Sequence, residues 1–216
     1  MSPHGTDLIG TLRAGLRGPL PGHGGFLERA GYTRAELDAS QEQDTAPRES
    51  AVLALIYPRP AGLFTLLMLR PEYDGVHAGQ VSFPGGRREA QDTDLWATAL
   101  REFEEETGIG TQGIEHLGAL SQVYIPPSRS LVSPFVAYAP ELGPARPDPR
   151  EVQALIEAPL AELLQEDVIQ HRDQYIRIAG RVARVPYFDL AGHVVWGATA
   201  MMLWEIRELL RSGRRS

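Results

Sequence analysis

Cysteine is absent from all 216 residues, which removes disulfides, thiolate nucleophiles and cysteine-ligated zinc or iron–sulfur sites together. Lysine is absent too, since all 21 basic residues are arginine. That excludes a Schiff-base mechanism and the lysine of a P-loop. No run of about 18 apolar residues occurs and no basic-then-apolar leader opens the chain, so no membrane partner is expected and the expected location is cytoplasmic. A formal charge of −7 speaks against a nucleic-acid partner, which would need a net basic face. The six histidines stand singly, none at metal-ligand spacing, and no Gly-x-Ser-x-Gly elbow exists for a serine hydrolase. What is left for chemistry is carboxylate and guanidinium, and arginine is the better side chain for bidentate phosphate contacts.

The carboxylates gather in one place. A turn, Ser82-Phe83-Pro84-Gly85-Gly86-Arg87-Arg88-Glu89, leads into a helical segment that ends Arg101-Glu102-Phe103-Glu104-Glu105-Glu106-Thr107, followed by Gly108 where a helix stops. Trp96, Ala99, Leu100 and Phe103 form an apolar stripe at helical spacing that should face a core. On the same wheel Glu102 and Glu106 fall roughly 40° apart on the shoulder of that stripe, and Glu105 about 60° further round. Glu104 points away, as a solvated residue would. Such a cluster repels itself and resists desolvation, so it is either a solvated acidic face or the seat of a compensating cation. Carboxylate oxygens suit a hard divalent ion, which keeps several positions for water and substrate phosphates.

Around this segment the chain alternates strands and helices. Apolar runs at Ala51 to Tyr57 and Leu63 to Arg70, joined by Pro58-Arg59-Pro60-Ala61-Gly62, predict a hairpin. A short strand at Gln80 to Phe83 precedes the turn, with Asp92 or Thr93 capping the acidic helix. Further strands are expected at His116 to Tyr124, Leu131 to Ala139 and Val152 to Glu157, with an exposed loop at Pro140 to Arg150 beside the site. A short helix at Pro159 to Glu166, a hairpin about Gly180 and a final helix at Ala198 to Arg211 complete the pattern. Residues 1–45, with a helix near Leu8 to Leu16 and another at Thr33 to Ala39, read as an N-terminal helical and irregular extension; residues 46–216 read as the main domain, of α/β class.

The spacing of the acidic helix is specific. Arg101-Glu102-Phe103-x-Glu105-Glu106-x-Gly108-Ile109, preceded by Gly86, resembles the second half of the Nudix box. The box has five residues between its Gly and its acid and seven before its Arg; here Gly86 to Asp92 leaves five but Asp92 to Arg101 leaves eight, and the acid is Asp. Upstream, Leu66-Leu67-Met68-Leu69-Arg70-Pro71, then His77-Ala78-Gly79-Gln80-Val81-Ser82 and Phe83-Pro84-Gly85-Gly86 resemble the signature of the coenzyme A diphosphatase branch of that family. Two signature members differ, with Met68 in place of Thr and Gly75 in place of a second Arg. The branch also carries one extra residue inside the box.

The resemblance implies a Nudix α/β/α sandwich with a mixed sheet and hydrolysis of the diphosphate of coenzyme A or a derivative. It implies Mg2+ or Mn2+ held by Glu102, Glu106 and Glu105, the last directly or through water, beside the backbone of Gly86. Catalytic roles fall to Glu105, Glu151 and Arg101, with Glu151 or Glu105 as the base; Arg70, His77, Phe83, Arg87 and Arg88 are the expected contacts to a small-molecule substrate. Two alternatives stay open: a diphosphatase acting on ADP-ribose or another nucleoside diphosphate derivative, and a nucleotide-sensing domain without catalysis.

Overall fold

A computed structural model of the chain describes residues 3–30, 46–71, 79–176 and 180–213. Strand β1, Arg48–Arg59, is its axis. Leu53, Ala54, Leu55, Ile56 and Tyr57 are all fully buried, the pattern of a strand covered on both faces. Strand β7, Ser130–Tyr138, runs parallel to β1 along one edge, from Arg48 opposite Ser130 to Ile56 opposite Tyr138. On the other edge β2, Gly62–Leu69, pairs with the end of β1 through the expected hairpin. Strand β4, Gly85–Arg87, takes the beginning of that same edge, placing Gly85 opposite Val52 and Gly86 opposite Ala51. β3, Val81–Ser82, and β8, Ala154–Pro159, pair with β2; β5, Glu115–Ala119, and β6, Val123–Ile125, pair with β7.

Two cores follow from the alternation along β1. Leu53, Leu55 and Tyr57 face helix α3, Leu95–Thr107, which contributes Ala99 and Phe103, with Trp96 and Leu100 at the margin. Ala54 and Ile56 face the opposite layer, made by helix α5, Gly197–Ser212, helix α1, Pro3–Gly15, and a second sheet of β9, Ile169–Ile176, β10, Arg181–Leu190, and β11, His193–Val195. Short helices α2, Gly24–Leu27, and α4, Leu160–Leu163, fill its corners. The result is an α/β/α sandwich around a mixed sheet, as expected. Among the described residues, no helix is long and apolar enough to cross a membrane.

Two local expectations change. β4 stands where a turn was expected, and it can lie against β1 because Gly85 has φ 152° and a Cβ there would fall 2.5 Å from the Cα of Val52. The cap of α3 is Asp94, whose carboxylate accepts from the Ala97 N–H at 2.8 Å; Asp92 and Thr93 do not cap it. The helix expected at Thr33 to Ala39 lies outside the described residues.

The N-terminal segment, expected as an appendage, is part of the larger core. Leu12 is fully buried, and Phe26 stacks on Phe188 with ring centroids 6.0 Å apart. Glu205, buried on α5, ties the segment down: it accepts from the Gly22 N–H at 2.9 Å, the Ser121 N–H at 2.9 Å and the Ser121 hydroxyl at 2.7 Å. Replacing Leu12 with Ala should therefore lower the unfolding free energy by about 2–5 kcal/mol, as in a packed core, and denaturant melts with a change below about 0.5 kcal/mol would show a segment lying loosely on the surface.

Candidate active site

The acidic helix is held at both ends. Asp94 caps its start, and Gly108, with φ 68°, closes it by donating its N–H to the Glu104 carbonyl at 2.8 Å. The carbonyls left over at the last turn are taken by the loop after β7: Arg146 N–H donates to the Thr107 carbonyl at 2.8 Å and Asp148 N–H to the Glu106 carbonyl at 3.2 Å. The loop expected beside the site is thus bound to the helix end.

Glu106 is the most enclosed acid of the cluster, 2% exposed. Its Oε2 accepts from the Gly85 N–H at 2.7 Å and its Oε1 from Nη2 of Arg70 at 3.2 Å. Burial pushes its pKa up to about 7, against the opposing pull of Arg70 and the Gly85 N–H and with help from the charges of Glu102 and Glu151. Burial raises the Glu102 carboxyl as well; Arg101 opposes this, and Glu105 and Glu151 add to it. Glu102 lies against the β4 turn so closely that a Cβ on Gly86 would fall 2.5 Å from its Cδ, so any side chain there would push the Glu102 carboxylate aside.

Arg101 organises the outer half of the cluster. Its Nε and Nη2 grip the two oxygens of Asp92 at 2.9 and 3.0 Å, its Nη1 donates to Glu102 at 3.0 Å and Glu105 at 2.9 Å, and Nη2 also donates to the Arg87 carbonyl at 3.0 Å. All five of its donors are committed within the protein. Asp92, buried, also accepts from the Glu89 N–H at 2.8 Å and the Thr98 hydroxyl at 2.9 Å. The hydrogen bond from Arg101 holds its carboxyl well below the usual carboxylate range, and the hydrogen bond to Asp92 holds the guanidinium above its own. This is the role the irregular box spacing left open. The signal was an acid at the right distance after Gly86, and its partner is the box arginine.

Of the expected site residues, Glu102, Glu105, Glu106, Gly86, Arg70, Arg101 and Glu151 come together. Glu105 stays largely exposed on the rim. Glu151, 45 residues after Glu106 in the chain, is brought in by the loop whose backbone is bonded to the helix end. Its carboxylate accepts no hydrogen bond among the described residues, and its charge reaches both Glu102 and Glu106. Arg87 is exposed, and Arg88 is paired with Glu49 at 2.9 Å; with Arg48 they line an open cleft of about 490 Å³. Phe83 does not reach the site. It is 1% exposed and packed in the core on the α5 side, because the β3 segment turns that side chain inward. His77 lies outside the described residues.

Among the described residues no three acids or histidines are gathered closely enough to hold an ion as they stand, because Arg101 draws Glu102 and Glu105 while Arg70 and Gly85 hold Glu106. The donor set fits a hard divalent cation all the same. Glu102 and Glu106 are carboxylates held out of water, which raises both, and a cation would offset that burial; Gly86 has no side chain to stand between them and its own backbone.

The Asp92–Arg101 pair makes a stability test. A carboxyl depressed in the folded state contributes stability that is present above its unfolded pKa, near 4, and is lost as pH falls towards the folded value. Asp92→Asn should cost about 2–3 kcal/mol at pH 7, by taking one of three carboxylate partners from a mostly buried guanidinium that keeps Glu102 and Glu105, and should show a shallower loss of stability between pH 5 and pH 3 than the parent in melts across that range.

Comparison with known proteins agrees with this geometry. Residues 47–178 match the model of the NUDIX domain family. The chain is 40% identical over 186 residues to proteins described as the uncharacterized Nudix hydrolase NudL from Salmonella paratyphi B and Salmonella newport, covering 84% of this chain and 91% of theirs. Among solved structures, the Nudix hydrolase RenU from M. smegmatis has a similar fold, with a TM-score of 0.53 at 19% identity over 78% of this chain and 88% of that one. The chain therefore belongs to the Nudix hydrolase family and is a hydrolase of pyrophosphate bonds.

Proposed function

We propose that this hydrolase cleaves the diphosphate of coenzyme A, or of a derivative of it, into 3′,5′-ADP and 4′-phosphopantetheine. The observation that carries the reading is the path of the segment from Leu66 to Gly86. Of its described residues, Leu66 to Leu69 lie on β2, Val81 and Ser82 form β3, and Gly85 and Gly86 open β4; Arg70, just after β2, and the Gly85 N–H meet at the same buried carboxylate.

Glu102 and Glu106, with Glu105 at the rim and the backbone of Gly86 beside them, are the residues that would hold Mg2+ or Mn2+. Such an ion, when bound, neutralises charge that develops on the diphosphate. Glu151 is the better placed base, since its carboxylate lacks a partner among the described residues while Glu105 is engaged by Arg101. It would take a proton from the water that attacks one phosphorus; the bridging oxygen then leaves with the other phosphoryl group, giving two phosphate monoesters. Arg101, with every donor engaged, positions Glu102 and Glu105 and has none left for substrate. Arg87, exposed in a cleft lined also by Arg48, Arg88, Glu49 and Glu89, offers the cation that a 3′-phosphate requires, since Arg88 is already paired with Glu49.

Two outcomes are expected. Glu106→Gln should reduce turnover by about a hundredfold or more while raising the melting temperature of the metal-free protein, because a charge held out of water is replaced by a neutral amide. Under one metal condition, kcat/KM should rank coenzyme A above its analogue without the 3′-phosphate and above ADP-ribose, and Arg87→Ala should narrow that gap. If ADP-ribose is turned over best and the 3′-phosphate makes no difference, the coenzyme A assignment is wrong and the ADP-ribose reading replaces it.

A further inference from the structure

Arg70 stands in an unusual relation to the acidic cluster. It is a cation that touches Glu106 from outside the helix, and its three engaged N–H groups are shared among a hydroxyl, a carbonyl and that carboxylate. Nε donates to Ser82 Oγ at 3.3 Å, and Nη2 donates both to the Gly85 carbonyl at 3.2 Å and to Glu106 Oε1 at 3.2 Å. Charge-assisted N–H···O contacts normally lie at about 2.7–2.9 Å, so this is a loose ion pair. The other oxygen of Glu106 is held differently, by the Gly85 N–H at 2.7 Å. That anchor is backbone and does not depend on Arg70.

The two oxygens of one carboxylate therefore have unequal partners, one fixed and one exchangeable. The guanidinium side chain is 23% exposed while the carboxylate is 2% exposed, so the arginine has room to withdraw and the glutamate does not. Both N–H groups of Nη1 lack an acceptor among the described residues, which leaves that edge free to bind an anion.

We propose that Arg70 is the resident counter-ion of this cluster: it neutralises Glu106 while the site is empty of metal, and yields Oε1 when a divalent cation enters. Displaced from the carboxylate, the guanidinium sits beside the cation site with its fork open to the oxygens of the incoming diphosphate. The arginine thus competes with the cation for Glu106. It sets the affinity of the site downward, and in exchange keeps the empty site folded. This inference rests on the reading of Glu102 and Glu106 as cation ligands.

Mn2+ titration calorimetry on the full chain, with melting curves with and without Mn2+, tests it without measuring turnover. Arg70→Gln should bind Mn2+ about tenfold more tightly than the parent, a factor equivalent to about 1.4 kcal/mol. It should also melt lower than the parent without Mn2+, with a larger rise on adding it. Arg70→Lys, which keeps the charge and loses the fork, should stay within about threefold of the parent affinity, and it carries the test if the glutamine variant does not fold. Equal or weaker Mn2+ binding in folded Arg70→Gln, or a tenfold gain in Arg70→Lys, overturns the counter-ion role and leaves Arg70 a brace for the β3–β4 turn. A parent protein that takes up no Mn2+ at all overturns both this inference and the reading of the carboxylates beneath it.

Discussion

Glu106 keeps its carboxylate at 2% exposure, and removing that charge from water is the constraint to which the surrounding structure answers. One oxygen needs a backbone donor, which requires β4 to lie close against β1; that approach is possible only because Gly85 has no Cβ to meet Val52. The other oxygen needs a cation, and Arg70, the residue just after β2, supplies it. Glu102 needs space beside the same turn, and Gly86 provides it by having no side chain. The Phe-Pro-Gly-Gly turn is therefore complementary to a buried acid pair, and α3, capped at each end, is fixed at the angle that presents them.

Much of this was legible in the chain. The stripe of Trp96, Ala99, Leu100 and Phe103 located the buried face of α3, and hence which glutamates lie at its edge, because helical periodicity is a local property. Most strands of the main sheet were legible for the same reason, but β4 was not, and the strand expected at His116 to Tyr124 divides into β5 and β6. What was not legible depended on partners far away in sequence. Asp92, Thr93 and Asp94 are equally good caps by type; the choice falls on Asp94 because Arg101 and Thr98 claim Asp92, an interaction decided in three dimensions. Phe83 sits in a motif with chemical residues on either side, and only the pairing of β3 with β2 sends its ring into the core. The N-terminal segment, rich in glycine and proline, reads as irregular chain, yet Leu12 and Phe26 fill a space that α5 leaves beside the sheet. Glu151 was legible as a possibility and no further, since a loop of 140–150 shows no periodicity that would place it.

Composition shapes the electrostatics. With no lysine available, every positive contact in the site is made by a planar fork, and Arg101 shows what that permits: one side chain addresses three carboxylates and a carbonyl at once. An ammonium group has three donors and no fixed plane, and could not hold Asp92 with two bonds while turned to Glu102 and Glu105. The arginine thus limits the repulsion within the helix while leaving Glu106 to a separate cation, Arg70, just past the end of β2.

The bonds that the loop after β7 makes to the end of α3 have a consequence for motion. Asp148 donates to the Glu106 carbonyl, and both Glu151 and Val152 donate to the Asp148 carbonyl. Glu106 and Glu151 are therefore linked through two successive main-chain hydrogen bonds, although they are far apart in sequence. A displacement of the helix terminus would therefore pull the loop with it through main chain alone. The two acids differ in the freedom left to them: Glu106 is enclosed while Glu151 is exposed, so of the pair it is Glu151 whose torsions are open to change.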